Sequence, residues 1–106
     1  MQIIVDAHNL RIYKKSMEIT FDPAKRDAAL DKRGLDFAEA TEVFSGAVFE
    51  RIDDRADYGE DRIITIGLLR GRMMVVVWTP RGAARHVISM RKANDREQKR
   101  FRDRLG

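Results

Sequence analysis

Apolar residues along the chain follow two periods, one helical and one extended, and the change comes near Gly46. Ahead of it, Glu18-Ile19-Thr20-Phe21 is a short β-prone run that stops at Asp22-Pro23. That pair starts a helix for two separate reasons. The Asp carboxylate accepts from free amides of the first turn, and proline at the first helical position has no amide to leave unsatisfied. The helix carries Ala24, Ala28 and Leu30 toward Gly34, a residue suited to the left-handed position that follows a helix. Asp36-Phe37-Ala38-Glu39 then has the spacing of a capping box and predicts a second helix, with Phe37, Ala40, Val43 and Phe44 on one side.

Beyond Gly46 the stretches Ala47 to Ile52, Arg62 to Leu69, Arg72 to Thr79 and Arg85 to Arg91 are rich in Val, Ile and Met and read as strands. Turn residues separate them at Asp57-Tyr58-Gly59, Arg70-Gly71 and Pro80-Arg81-Gly82, so the strands form an antiparallel meander. Asn94, with Glu97 three residues on, caps a last helix whose apolar edge is Phe101 and Leu105. The predicted fold class is α+β: two N-terminal helices packed on an antiparallel β-sheet, with a C-terminal helix. Because the strand, cap and helix unit begins at Met17, residues 17–105 are expected to form one complete domain. Residues 1–16, with Ile3-Ile4-Val5 followed by the basic Arg11, Lys14 and Lys15, are then an extension, an added edge strand, or a stretch ahead of the true start.

With 106 residues there is room for a single core. The absence of cysteine removes disulfides, thiolate zinc sites and cysteine nucleophiles together, and fits a reducing cytoplasm. The longest apolar run, Met73 to Trp78, is too short to span a bilayer, and the N-terminus lacks the order of a signal peptide. A cytoplasmic protein with no membrane partner is expected. The net charge is +4 and the pI about 9.8, which favours polyanions or an acidic protein as partners. Charge is also polarised along the chain: Arg85 to Gly106 holds eight basic and three acidic residues, whereas Glu50 to Asp61 holds six acidic and two basic.

The chain has no histidine pair at metal spacing, no glycine-rich phosphate loop and no Ser-His-Asp order with a nucleophile elbow, so no metal or cofactor is expected. Asp53-Asp54 and Asp57 read as a solvated turn rather than a cation site, for want of a fixed ligand loop.

The order of short motifs is more specific than any one of them. Phe21-Asp22-Pro23-Ala24-Lys25, Lys32-Arg33-Gly34-Leu35-Asp36-Phe37, Glu39-Ala40 and Val43-Phe44 resemble the first half of the BrnT toxin family. Tyr58-Gly59-Glu60-Asp61-Arg62, Ile66-Gly67, Val75-Val76-Val77 and Val87 to Ala93 before Glu97 resemble its second half. The likeness runs from Met17 to about Leu105 and departs from the family pattern at Arg33 and Ala29, where His and Asn are usual. It implies a RelE-like fold and RNA cleavage that stops translation. It also implies a BrnA-like antitoxin with a ribbon-helix-helix part, through which alone operator DNA is contacted.

RNA is cleaved without a metal when its own 2′-hydroxyl attacks the adjacent phosphate, a reaction that needs position and positive charge more than a special nucleophile. Arg62 and Arg91, at strand ends in positions that match the family, are the first candidates for phosphate contact, since the guanidinium fork offers two donors and stays charged. His86 is a candidate acid or base near neutral pH, although a structural histidine is the commoner outcome on a strand. His8 lies in the leader and carries little weight. Lys25, Lys32, Arg33 and Lys92 are candidate RNA-binding cations; Lys32 and Arg33 equally complement the C-terminal dipole of the first helix. Tyr58 can stack on a base or simply pack. Glu97 and Asp22 read as caps. A second reading is a non-catalytic module that keeps the toxin fold and docks an antitoxin or blocks a protein target.

Overall fold

The computed structural model describes residues 18–105 and the backbones of two further strands, β1 (Gln2–Asp6) and β2 (Arg11–Lys15), which pair antiparallel as a sheet of their own. The expectations for Met17 and His8 lie outside the described residues. From residue 18 the order is β3 (Ile19–Phe21), α1 (Pro23–Arg33), α2 (Ala40–Ser45), β4 (Val48–Ile52), β5 (Ile63–Leu69), β6 (Arg72–Arg81), β7 (Ala84–Lys92) and α3 (Asp95–Phe101).

The strands form one five-stranded sheet in the order β3-β7-β6-β5-β4. β4 to β7 are the antiparallel meander, but β3 lies parallel to β7, with Phe21 beside Val87. The sheet is therefore mixed, which corrects the expected antiparallel sheet. The expectation of two N-terminal helices packed on it is corrected as well. α1 is a three-turn helix, whereas the segment after it opens with a 3₁₀ turn at Phe37–Glu39 and continues as a six-residue α2. The physical reason is at Asp36. Its carboxylate accepts from Ala38 N at 2.9 Å and from Arg26 at 2.9 and 3.0 Å, and the Glu39 side chain pairs with Arg70 instead of closing a capping box.

The two ends read as local signals do form. Asp22 accepts from Ala24 N at 2.9 Å, and Gly34 takes φ 67° while its N–H closes on Leu30 O at 3.0 Å. At α3, Asn94 Oδ1 accepts from Glu97 N and Glu97 Oε1 accepts from Asn94 N, a complete box. Arg70 and Gly71 both adopt positive φ in the two-residue turn between β5 and β6, where only Gly is unstrained; Arg70 is tethered there by Glu42, which accepts from its amide at 2.8 Å.

Period-two alternation divides the sheet into two faces. Ile63, Leu69, Met74, Val76, Trp78, Val87 and Met90 pack against Ala29, Leu35, Phe37, Ala40, Val43 and Phe44 of the helical layer. Gly67 is part of the same contact: an added Cβ would stand 2.8 Å from Val43 Cγ1. Inside this layer Trp78 Nε1 donates to Thr65 Oγ1 at 2.8 Å, Thr65 donates on to Glu50, and the buried Arg85 guanidinium stacks 4.0 Å from the Phe44 ring. On the other face Ile64, Ile66 and Val75 meet Ala93, Phe101 and Leu105, with Phe49, Met73 and Val77 at the margin. α3 covers one part of that face.

Candidate active site

A bulge in β7 decides what the second face carries. Ser89 pairs with Val77 and Val87 with Trp78, so Ile88 is an extra residue without a partner on β6. Alternation read straight from Val87 would send Arg91 toward the helical core. The extra residue reverses the phase, and Arg91 joins Ser89, Val75 and Val77 on the face shared with α3.

There a cleft of about 320 Å³ has a floor of Ile64, Ile66, Val75 and Val77 and is ringed by five arginines, Arg51, Arg55, Arg91, Arg96 and Arg100. Three elements and a loop supply them. Arg51 shares a face of β4 with Phe49, Arg55 follows β4, Arg91 lies near the end of β7, and Arg96 and Arg100 are one turn apart on α3. Arg55 is held by the buried Asp53 through two bonds of 2.7 and 2.8 Å, and this pairing keeps the Asp53 carboxyl near a pKa of about 2. Arg91 is gripped by Glu97 through bonds of 2.7 and 2.8 Å, which hold the Glu97 carboxyl at about 2 and raise Arg91 above its ordinary value. Arg51, Arg96 and Arg100 have no carboxylate partner among the described residues. Unneutralised guanidinium groups over an apolar floor suit a phosphate chain whose bases need a surface to lie on.

The other site candidates are distributed around this cleft rather than gathered in it. Arg62 stacks 4.0 Å from the Tyr58 ring, and the Tyr58 hydroxyl donates to Asp53 at 3.3 Å, so both are tied to the carboxylate that holds Arg55. The Nε of Arg62 is buried and has no hydrogen-bond partner among the described residues. His86 shares a hydrogen bond of 2.8 Å with Thr20 across the parallel β3–β7 pair. Burial first, then the nearby Arg81, lower the His86 pKa, which leaves the ring neutral at pH 7. His86 pairs with Thr79 and Arg91 with Val75, so four residue steps separate them, roughly 13 Å at strand spacing.

Lys25, Lys32 and Arg33 line a second cleft of about 200 Å³ between α1 and β7, with Phe37, Ile88 and Ser89. Arg33 donates to Met90 O at 3.3 Å there. Lys92 is exposed, and alternation places it on the side opposite Arg91. Arg51, Arg55, Arg96 and Arg100 are not among the candidates that the sequence motifs single out. The signals that do point to them are the two-residue spacing of Arg51 from Phe49, which puts both on one strand face, and the four-residue spacing of Arg96 and Arg100 within the basic C-terminal run.

Among the described residues no three His, Asp or Glu side chains converge as metal ligands, and no helix is long and apolar enough to cross a membrane. No curated protein matches the chain. The family model of the ribonuclease toxin BrnT of type II toxin–antitoxin systems matches residues 21–97, from the end of β3 to Glu97 itself, and the chain belongs to that family.

Proposed function

We propose that this ribonuclease toxin binds and cuts RNA in the arginine-ringed cleft between the sheet and α3, without a metal ion, and that the cut stops translation in the cytoplasm. Family membership carries an RNA substrate and an antitoxin partner. The observation that supports the cleft is its composition: five guanidinium groups around an apolar floor, of which only Arg55 and Arg91 are paired with a carboxylate among the described residues. Positive charge stationed beforehand is what a phosphorane needs, and it costs no reorganisation when the charge develops. In this reading Arg91 contacts the scissile phosphate, while Arg62, Tyr58 and His86 meet neighbouring nucleotides at the far end of the same face. Lys25, Lys32, Arg33 and Lys92 supply weaker attraction from outside the cleft.

The antitoxin is a BrnA-like ribbon-helix-helix protein whose acidic or amphipathic segment covers the same cleft, since complementary charge speeds association and orients the encounter. Operator DNA is reached only through that partner. The working unit is residues 17–105. Purified protein incubated with RNA in EDTA tests the reading: cleavage at an unchanged rate supports it, and activity that appears only on adding a divalent cation contradicts it. A chain that binds the antitoxin but leaves RNA intact under both conditions is a docking module instead.

A further inference from the structure

We infer that Glu97, beyond capping α3, is the general base of the reaction and takes the proton from the RNA 2′-hydroxyl as Arg91 passes to the phosphate. The inference rests on the reading that this cleft cuts RNA. Three features of the geometry carry it.

Glu97 is the one carboxylate lining the cleft among the described residues; Arg91 from β7 bonds to it, and the other charged residues of the lining are all cations, Arg51 and Arg55 from the β4 side and Arg96 and Arg100 from its own helix. It is therefore ionised and able to accept a proton. Its two oxygens are also inequivalent. Oε1 accepts from the Asn94 amide at 2.9 Å as well as from Arg91, whereas Oε2 accepts, among the described residues, only from Arg91, at 2.8 Å. The cap thus anchors one oxygen and leaves the other to be released by a single exchange. Finally, Arg91 presents its fork to Glu97 in the two-bond geometry with which a guanidinium binds a phosphate. A phosphate entering the cleft competes for that fork with matching chemistry. Once it succeeds, Oε2 loses its donor and Glu97 loses the main cause of its low pKa, so its basicity rises at the moment a base is required.

The step balances without a cofactor. The 2′-oxygen gives its proton to Glu97 Oε2 and bonds to phosphorus, and the bond from phosphorus to the 5′-oxygen breaks. The leaving 5′-oxygen takes a proton from water, and the hydroxide so formed takes the proton back from Glu97, which returns to the carboxylate. The products are a 2′,3′-cyclic phosphate and a 5′-hydroxyl end.

Glu97→Gln and Asn94→Ala in the full chain separate this role from capping. Gln closes a capping box as Glu does, so the first variant keeps the helix start and removes the base. Asn94→Ala removes the cap side chain and leaves the carboxylate against Arg91. On a short RNA oligonucleotide the expected result for Glu97→Gln is a fall in kcat of roughly 10²- to 10³-fold with KM little changed, and loss of the acid limb of the kcat profile. Asn94→Ala is expected to lose only a few-fold. Wild-type products are expected to carry the cyclic phosphate by mass spectrometry. The inference is overturned if Glu97→Gln cleaves within a few-fold of wild type, if Asn94→Ala loses as much as Glu97→Gln, or if the new ends are 5′-phosphates. A wild-type chain that leaves the oligonucleotide intact overturns the proposed function itself, an outcome distinct from these three.

Discussion

The Arg91 guanidinium and the Glu97 carboxylate meet through two parallel hydrogen bonds of 2.7 and 2.8 Å, which join the end of β7 to the first turn of α3. Both side chains are partly solvated, at 46% and 23% exposure, and a pair so placed contributes at most about 1 kcal/mol to folding. Arg91→Ala should accordingly keep the fold, with a thermal midpoint within a few degrees of the parent. A much larger drop would make the pair a structural lock and argue against its rearrangement on RNA.

Arg96 and Arg100 border the cleft without a carboxylate partner among the described residues, which makes them direct candidates for phosphate contact in the proposed reading. Replacing either by Ala should weaken binding of single-stranded RNA uniformly across sequences and lower the slope of log affinity against log salt by roughly 0.7. Titrations at several salt concentrations check this. An unchanged slope in both variants would remove α3 from the RNA path.

Asp36, Asp53 and Glu97 all have carboxyl groups drawn down to about 2, chiefly by hydrogen bonds from Arg26, Arg55 and Arg91 respectively. Folded values below the unfolded ones mean that the unfolded chain binds more protons in acid, so stability rises with pH through this range. The contribution is complete above the unfolded carboxylate values, at about pH 5, and is lost as pH falls toward 2. Urea midpoints measured between those limits should fall steadily, and Asp53→Asn should flatten the slope. A midpoint independent of pH there would contradict the three pairings.

Gly67 sits under α2 where a methyl group has no room: its Cβ would meet Val43 Cγ1 at 2.8 Å and Val48 Cγ1 at 3.1 Å. Gly67→Ala should destabilise by about 1–3 kcal/mol through overpacking. A denaturation curve with an unchanged midpoint would show that α2 stands further from the sheet.

Removing the residues before Met17 should leave folding and toxicity intact, because every element of the five-stranded sheet begins at Ile19 or later. Growth arrest on expression and solubility of the shortened chain are the measurements. An insoluble product would show that the leader contributes to the fold.

Much of this architecture is legible in the sequence because its signals are local. The Asp22-Pro23 start, the Gly34 stop, the Asn94–Glu97 box and the Arg70-Gly71 turn each depend on residues a few positions apart. The parallel β3–β7 pair depends on Thr20 finding His86, and no nearby residue announces a partner so distant. Asp36 had the spacing of a capping box but bonds to Arg26, a tertiary choice that the local pattern does not contain. For the site, Arg91 was legible as a strand-end cation, whereas its face depends on the extra Ile88. Arg51 and Arg55 were hidden by the acidic stretch around them, since charge counted along the chain does not reveal that Asp53 turns inward to hold Arg55. Glu97 satisfied its capping role so completely that nothing in the sequence suggested a second one.

The cleft beneath α3 and the cleft between α1 and β7 both carry basic residues, and RNA cleavage is assigned to the first. The most direct measurement is kcat/KM for one RNA oligonucleotide, in EDTA, of Arg91→Ala beside a triple Lys25→Ala, Lys32→Ala, Arg33→Ala variant. The account predicts a loss of roughly 10²- to 10³-fold for Arg91→Ala, the scale of a lost transition-state donor, and a few-fold for the triple variant. The reverse order, with Arg91→Ala cleaving like the parent and the triple variant inactive but folded, would contradict it and move the active site to the cleft between α1 and β7.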